Sequence, residues 1–281
     1  MRSRATAAAL AVASGLGLAA GEAVVLQDSN RLTLRLRPGD VLARVARGGQ
    51  GVARLEIELA RRLARSGSPV AAVEPRVAPR VYERDGFTVT LWTYYERAAS
   101  PGVSPAGYAS ALRRLHAGLR PLGVPAPHFT DRVGRAQRLV ARRDLSPALA
   151  EADRELLGRA LRDLRRAVGG HGAAEQLLHG EPHPGNVLAT RDGPLFIDFE
   201  TCCRGPVEFD LAHGPEEAGE HYPGTDPALL RECRLLVLAM VTAWRWDRGD
   251  QLPGGRALAA QWLRQLRAGL GEAGPDETGR G

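Results

Sequence analysis

From residue 31 the chain alternates. Arg31-Leu32-Thr33-Leu34-Arg35-Leu36-Arg37 puts an apolar side chain at every second position, the period of a strand with one buried face. Pro38-Gly39-Asp40 turns the chain, and Val41-Leu42-Ala43-Arg44-Val45 predicts the next strand. Ala23 to Leu26 is a short apolar run ahead of them, followed by a polar turn over Gln27-Asp28-Ser29-Asn30. The period then lengthens. Over 51–66, Leu55, Leu59 and Leu63, with Ile57 and Ala60 less strictly, form a helical stripe that Gly67-Ser68-Pro69 ends. Asp85-Gly86 between Val81-Tyr82 and the apolar run 87–92 predicts a tight hairpin. Helical spacing returns over 108–119, 151–168, 229–246 and 256–270, with a proline-rich connection at 121–127 and a tail after Gly271 whose composition predicts fraying. No internal repeat is present.

The polar groups concentrate around one more hairpin. Val187-Leu188 and Leu195-Phe196-Ile197 flank Arg191-Asp192-Gly193-Pro194, again with the Asp-Gly signal. Glu181 and Asn186 lie on the loop entering the first strand, and Asp198 leaves the second. Metal-dependent phosphoryl transfer needs such a set: one carboxylate orients the attacking hydroxyl, while an amide oxygen and a second carboxylate hold Mg²⁺ against the phosphates. The spacing from Glu181 to Asn186, with an acidic residue after the hairpin, is that of a kinase catalytic loop. The plain alternative is a polar hairpin loop with no chemistry.

His179, Asn186, Asp198 and the segment Gly205 to Ala212 fit the pattern His-x-Asp-x-x-x-x-Asn, Asp-Phe, Gly-x-x-x-x-Asp-Leu-Ala. The chain thus resembles the aminoglycoside phosphotransferase and choline kinase family. Glu181 departs from it, standing where the family usually has Asp. The resemblance implies an α+β, two-lobed, protein-kinase-like fold: a β-rich N-terminal nucleotide-binding lobe over 1–95 and a mainly helical C-terminal catalytic and substrate-binding lobe over 96–281. It implies ATP or GTP and Mg²⁺ as cofactors and the hydroxyl of a small molecule as acceptor. Arg44 occupies the place of the strand lysine that holds nucleotide phosphates, and Glu56 that of its helix partner, with Glu58 as fallback. Ser29 and Asn30 are the phosphate-turn candidates. The segment 92–95 corresponds to the linker between lobes, whose backbone binds the adenine edge. Asn186 and Asp198 hold the metal, with Glu200 assisting from the same side of an extended strand end. Glu181 aligns or deprotonates the acceptor. His179 shapes the loop, His183 either shapes it or moves protons, and Asp210 braces it from below. The competing reading is a pseudokinase that binds nucleotide and transfers nothing, as Glu181 and the missing lysine permit.

Composition changes this picture little. The net charge is +6, but all 38 basic residues are Arg. The absence of Lys reads as compositional habit, and no nucleic-acid motif accompanies it. Three cysteines, Cys202, Cys203 and Cys233, are too few and too odd for a disulfide scaffold and indicate a reducing compartment. Arg2 and Arg4 precede an apolar run over 5–20, the layout of a secretory signal. A helix packed on the first lobe is preferred, because an ATP-dependent enzyme has no nucleotide supply outside the cell. The expectation is a cytoplasmic protein with no membrane and no nucleic-acid partner. No oligomeric state follows from the pattern. Between Gly205 and Leu230 there is no Arg, while Glu208, Asp210, Glu216, Glu217, Glu220 and Asp226 are present. That local acidity, with Trp244 and Trp246 beyond it, suits a cationic acceptor such as an amino sugar or amino alcohol.

Overall fold

The computed structural model describes residues 1–28, 31–98 and 102–271. The Ser29-Asn30 candidates and the tail after Gly271 lie outside these residues. Two compact units form: one joins residues 1–122 to 182–202, the other joins 123–181 to 203–281.

In the first unit the alternating segments become strands. They are β1 (Ala20–Asp28), β2 (Leu32–Pro38), β3 (Val41–Ala46), β4 (Tyr82–Arg84) and β5 (Phe87–Thr93), in one antiparallel sheet of order β1-β2-β3-β5-β4. Gln27 and Asp28, read as a turn, instead continue β1, because Gln27 pairs with Thr33 and Asp28 with Leu32. Leu32, Leu34 and Leu36 all point to the buried face of β2. That face is covered by α1 (Arg2–Gly15), whose Ala5, Ala8, Ala9 and Ala13 are buried against it. Methyl side chains let the helix approach the sheet closely, so the N-terminal run is a packed helix. No helix among the described residues is long and apolar enough to cross a membrane.

α2 (Gln50–Arg65) covers the opposite face, with Ile57 and Ala60 against Trp92 and Leu42. β5 is therefore covered on both sides, and Phe87 through Trp92 are all buried. The Asp85-Gly86 turn takes positive φ at both residues, 53° and 78°, the twist-matched geometry that joins β4 to β5.

α3 (Pro105–Leu119) and the hairpin of β7 (Val187–Thr190) and β8 (Gly193–Phe196) belong to the same unit. Backbone bonds stitch the hairpin to the sheet side. Phe196 N–H donates to Pro69 O at 2.8 Å, Ala71 N–H donates to Phe196 O at 3.1 Å, and Ala98 N–H donates to Ala189 O at 2.8 Å. Tyr108 on α3 is fully buried beside Phe196 and donates its hydroxyl to Pro182 O at 2.8 Å.

The second unit is helical. Its core lies among α4 (Phe129–Ala141), α5 (Glu151–Gly170), α7 (Pro227–Trp244) and α8 (Gly255–Leu270), with Phe129, Leu157, Leu161, Phe209, Leu236 and Met240 buried in it. A short pair, β6 (Gln176–Leu178) and β9 (Cys203–Gly205), and the helix α6 (Val207–Leu211) complete it. The sequence reading passed over α4. Its signals are a His128 cap closed by Asp131, in an unusual capping box, and a stripe of Val133, Ala136, Leu139 and Val140. α7 ends at Trp244, so Trp246 lies beyond the helix in which the periodicity placed it.

Candidate active site

β3 carries Arg44 onto the α2 face of the sheet, opposite Thr90 on β5. Glu56 rises from α2 into the same space and is 1% exposed. Arg44 Nη1 donates to Glu56 Oε1 at 2.5 Å, so the strand arginine and the helix glutamate form an ion pair. Glu58 turns outward and pairs with Arg61 and Arg62.

The other oxygen of Glu56 goes to a residue the sequence reading treated only as the opening of a strand. Arg31 Nη1 donates to Glu56 Oε2 at 2.7 Å, and its Nη2 donates to Asp198 Oδ1 at 2.6 Å and to Glu200 Oε2 at 2.7 Å. Burial opposes the charge of Arg31, but Glu56, Asp198 and Glu200 more than reverse this, and its pKa lies above the ordinary arginine range. No local sequence signal marks Arg31, because its partners lie 25, 167 and 169 residues away.

Asp198 follows β8 in the left-handed region, at φ 70° and ψ 69°. Such backbone is uncommon outside glycine and clusters at functional sites. Glu200 is not at a strand end as expected. It sits in a 3₁₀ turn over Phe199–Thr201, because the left-handed Asp198 stops the extended chain. Asn186 closes the 3₁₀ turn Pro184–Asn186, and its carbonyl accepts from Ile197 N–H at 3.0 Å. The hairpin thereby sets Asn186 beside the residue preceding Asp198. His183 caps the same short turn, its Nδ1 accepting from Gly185 N–H at 3.0 Å, and is exposed.

Among the described residues no three His, Cys, Asp or Glu side chains gather as a metal cage. A magnesium site does not require one: it commonly takes one or two protein oxygens and completes itself with phosphates and water. The half-buried Asp198 carboxylate and the neighbouring Asn186 amide fit that description.

A cavity of about 480 Å³ opens in this unit between the sheet and the hairpin. Leu26, Thr33, Leu42 and Arg44 line it from β1–β3, Trp92 through Tyr95 from the end of β5, and Leu188 with Phe196–Phe199 from the hairpin side. Its volume and its largely apolar lining with a few placed charges are those of a small-molecule site. The Tyr95 hydroxyl accepts from Ala72 N–H at 3.2 Å, fixing the ring at the cavity's edge.

The second unit holds the stem of the catalytic-loop motif. Asp210 is fully buried and accepts from His179 N–H through Oδ2 and from Gly180 N–H through Oδ1, both at 2.8 Å. Gly180 has φ 90°, a conformation that presents both N–H groups to one carboxylate and that a side chain would strain. His179 is buried, and its Nδ1 accepts from Glu181 N–H at 3.4 Å. Glu181 Oε1 pairs with Arg132 Nη2 at 2.6 Å, and Arg132 Nη1 donates to Gly180 O at 3.3 Å. Arg132 is buried, its guanidinium carbon 5.4 Å from the centre of the Trp244 ring. Arg132 belongs to the helix that periodicity did not reveal, so the sequence reading missed this partner too.

The acidic stretch divides. Asp210 braces the loop, buried Glu208 accepts from Asp226 N–H at 3.1 Å, and Asp226 caps α7. Glu216, Glu217 and Glu220 remain exposed. Trp246 is faced by Arg256 at 4.9 Å, so each tryptophan proposed for a cationic acceptor already has an arginine of the chain against its ring.

Residues 25–232 match the sequence profile of APH, the phosphotransferase enzyme family. The chain belongs to the phosphotransferase enzyme family. Among curated proteins none matches. Solved structures carry the same fold. A choline/ethanolamine kinase family protein from Mesorhizobium loti aligns with 96% of this chain and 94% of its own, at TM-score 0.65 and 19% identity. Amicoumacin kinase, solved with AMP-PNP, Ca²⁺ and its antibiotic, covers 95% of each chain at TM-score 0.68 and 13% identity. Spectinomycin phosphotransferase, solved with ADP and spectinomycin, covers 91% of this chain and 92% of its own at TM-score 0.61 and 14% identity. The fold of this phosphotransferase-family chain is accordingly the α+β, protein-kinase-like fold.

Proposed function

We propose that the protein transfers the terminal phosphoryl group of a nucleoside triphosphate to a hydroxyl of a small molecule. One observation carries the reading: the Arg44–Glu56 ion pair and Asp198 stand at a single cavity large enough for a small ligand. In this reading residues 1–95 supply the nucleotide side and 96–281 the catalytic and acceptor side. Arg44, oriented by Glu56, donates to the phosphates through a fork that a lysine lacks. Ser29 and Asn30 are the proposed phosphate turn. Asp198 and Asn186 are the ligands for Mg²⁺, which when bound would neutralise charge on the phosphates. Glu200 is a further candidate beside them.

Glu181 accepts the proton of the acceptor hydroxyl, or orients that hydroxyl, while Arg132 fixes its carboxylate. His183 is assigned to shaping its own turn, since Nδ1 is engaged there. The acceptor side is assigned to amine-bearing alcohols on the exposed Glu216, Glu217 and Glu220. Their field would draw in a cation and weaken with salt.

The test is a transfer screen of hydroxylated small molecules against ATP and GTP, with and without Mg²⁺, using wild type and Asp198→Ala. The expected result is Mg²⁺-dependent transfer that Asp198→Ala abolishes. Nucleotide binding with no transfer to any acceptor identifies a pseudokinase instead.

A further inference from the structure

Three carboxylates from separate segments converge on one guanidinium. Glu56 comes from α2, while Asp198 and Glu200 come from the turn after the hairpin, all within 2.7 Å of Arg31 nitrogens. Two of the three, Asp198 and Glu200, are residues assigned above to the metal. Nη1 reaches Glu56, which is almost wholly buried and also held by Arg44. Nη2 reaches Asp198 and Glu200, which are more exposed. The guanidinium thus has one anchored end and one end on the proposed metal carboxylates.

A carboxylate oxygen that accepts a guanidinium N–H cannot also ligate a divalent cation without setting like charges against each other. Arg31 further borders a second cavity, of about 170 Å³, together with Arg44, Arg47, Thr88 and Glu200. Its side chain therefore has polar space to move into without repacking the core.

We propose that Arg31 is the exchangeable counter-cation of the nucleotide site. This rests on the phosphotransferase reading above. Without metal and nucleotide, its Nη2 neutralises Asp198 and Glu200. When the metal nucleotide binds, Nη2 gives up Asp198 and donates to phosphate oxygens, while Nη1 stays on Glu56. The ligand class is a nucleoside di- or triphosphate with its divalent cation. Arg31 is then a phosphate-binding residue that also keeps the metal carboxylates from taking up free cations.

The experiment measures Mn²⁺ binding to the nucleotide-free protein by the EPR signal of free Mn²⁺, and Mg·ADP binding by calorimetry. Wild type, Arg31→Gln and Arg31→Lys are compared, each checked by circular dichroism. Arg31→Gln is expected to bind Mn²⁺ about ten- to a hundredfold more tightly than wild type, the worth of one lost charge-assisted bond. It is expected to bind Mg·ADP about tenfold more weakly. Arg31→Lys, which keeps the charge, should hold Mn²⁺ as weakly as wild type. Equal Mn²⁺ affinity in wild type and Arg31→Gln overturns the inference. A crystal structure of the wild type with Mg·ADP decides it without any variant: the Arg31–Asp198 bond, 2.6 Å here, should be broken, and its persistence overturns the inference. If wild type binds Mg·ADP but neither change appears, this inference alone fails. If wild type binds no nucleotide, the phosphotransferase reading fails and takes this inference with it.

Discussion

Arg132→Met tests the partner of the proposed base within one compact unit. The substitution keeps most of the buried aliphatic stem and removes the guanidinium. Three contacts are lost: the 2.6 Å pair with Glu181, the 3.3 Å bond to Gly180 O and the face of Trp244 at 5.4 Å. A charge-assisted bond is worth about 1.5–3 kcal/mol, a neutral one about 1 kcal/mol and a cation–π contact about 0.5–1 kcal/mol. Glu181 is partly exposed and regains water, so the pair is discounted and the expected loss of stability is about 2–4 kcal/mol. The kinetic effect is separate. Glu181 already carries one methylene more than the aspartate usual at its position, and without Arg132 its carboxylate loses a fixed place. A displacement of about 1 Å costs roughly a hundredfold in rate. The assay is steady-state transfer with the best acceptor of the screen, alongside urea unfolding and nucleotide binding by calorimetry. The expected result is a kcat lower by about a hundredfold with nucleotide affinity unchanged, a split that general loosening of the fold does not give. A cycle with Glu181→Gln should show coupling of about 0.5–3 kcal/mol in stability. A wild-type kcat in Arg132→Met, or strict additivity in the cycle, refutes the view that Arg132 positions Glu181.

Four further outcomes follow from particular contacts. Glu56→Gln and Arg44→Ala should show coupled effects on nucleotide affinity, with Glu56→Gln also loosening Arg31; additive effects in calorimetry would mean the pair is not used in binding. Gly180→Ala forces a side chain onto backbone at φ 90° and should lower the urea midpoint by an amount matching about 1–3 kcal/mol, with activity falling alongside; an unchanged midpoint counts against the Asp210 brace. Cys202, Cys203 and Cys233 are buried and free, and burial raises the thiol pKa of Cys203 and Cys233, so Ellman's reagent should react with none in the native protein and with all three in urea. Asp226 is held below the usual carboxylate range by the N–H groups of Leu229 and Ala228. Its stabilisation is present above its unfolded pKa and lost as pH falls through the folded one, so the stability gap between wild type and Asp226→Asn should close below about pH 4; a gap constant from pH 7 to pH 3 contradicts the cap.

The sequence by itself determined what is periodic or local. Alternation over 31–37 gave β2, the Asp-Gly pairs gave two hairpins, and the leucine stripe over 51–66 gave α2. Short spacing gave Glu181, Asn186 and Asp198 as one motif, because a catalytic loop and its hairpin span fewer than twenty residues. α4 escaped because its cap is a histidine and its buried stripe is short and interrupted by Arg and Gln. Tertiary structure alone decided the partners. Arg31 and Arg132 are two among 38 arginines, and nothing local separates them from solvated neighbours. Folding brings Arg31 against carboxylates up to 169 residues away and buries Arg132 under Trp244 beside Glu181. Burial selects them, because a guanidinium withdrawn from water must find fixed anions, and which anions those are is set by the packing of distant elements.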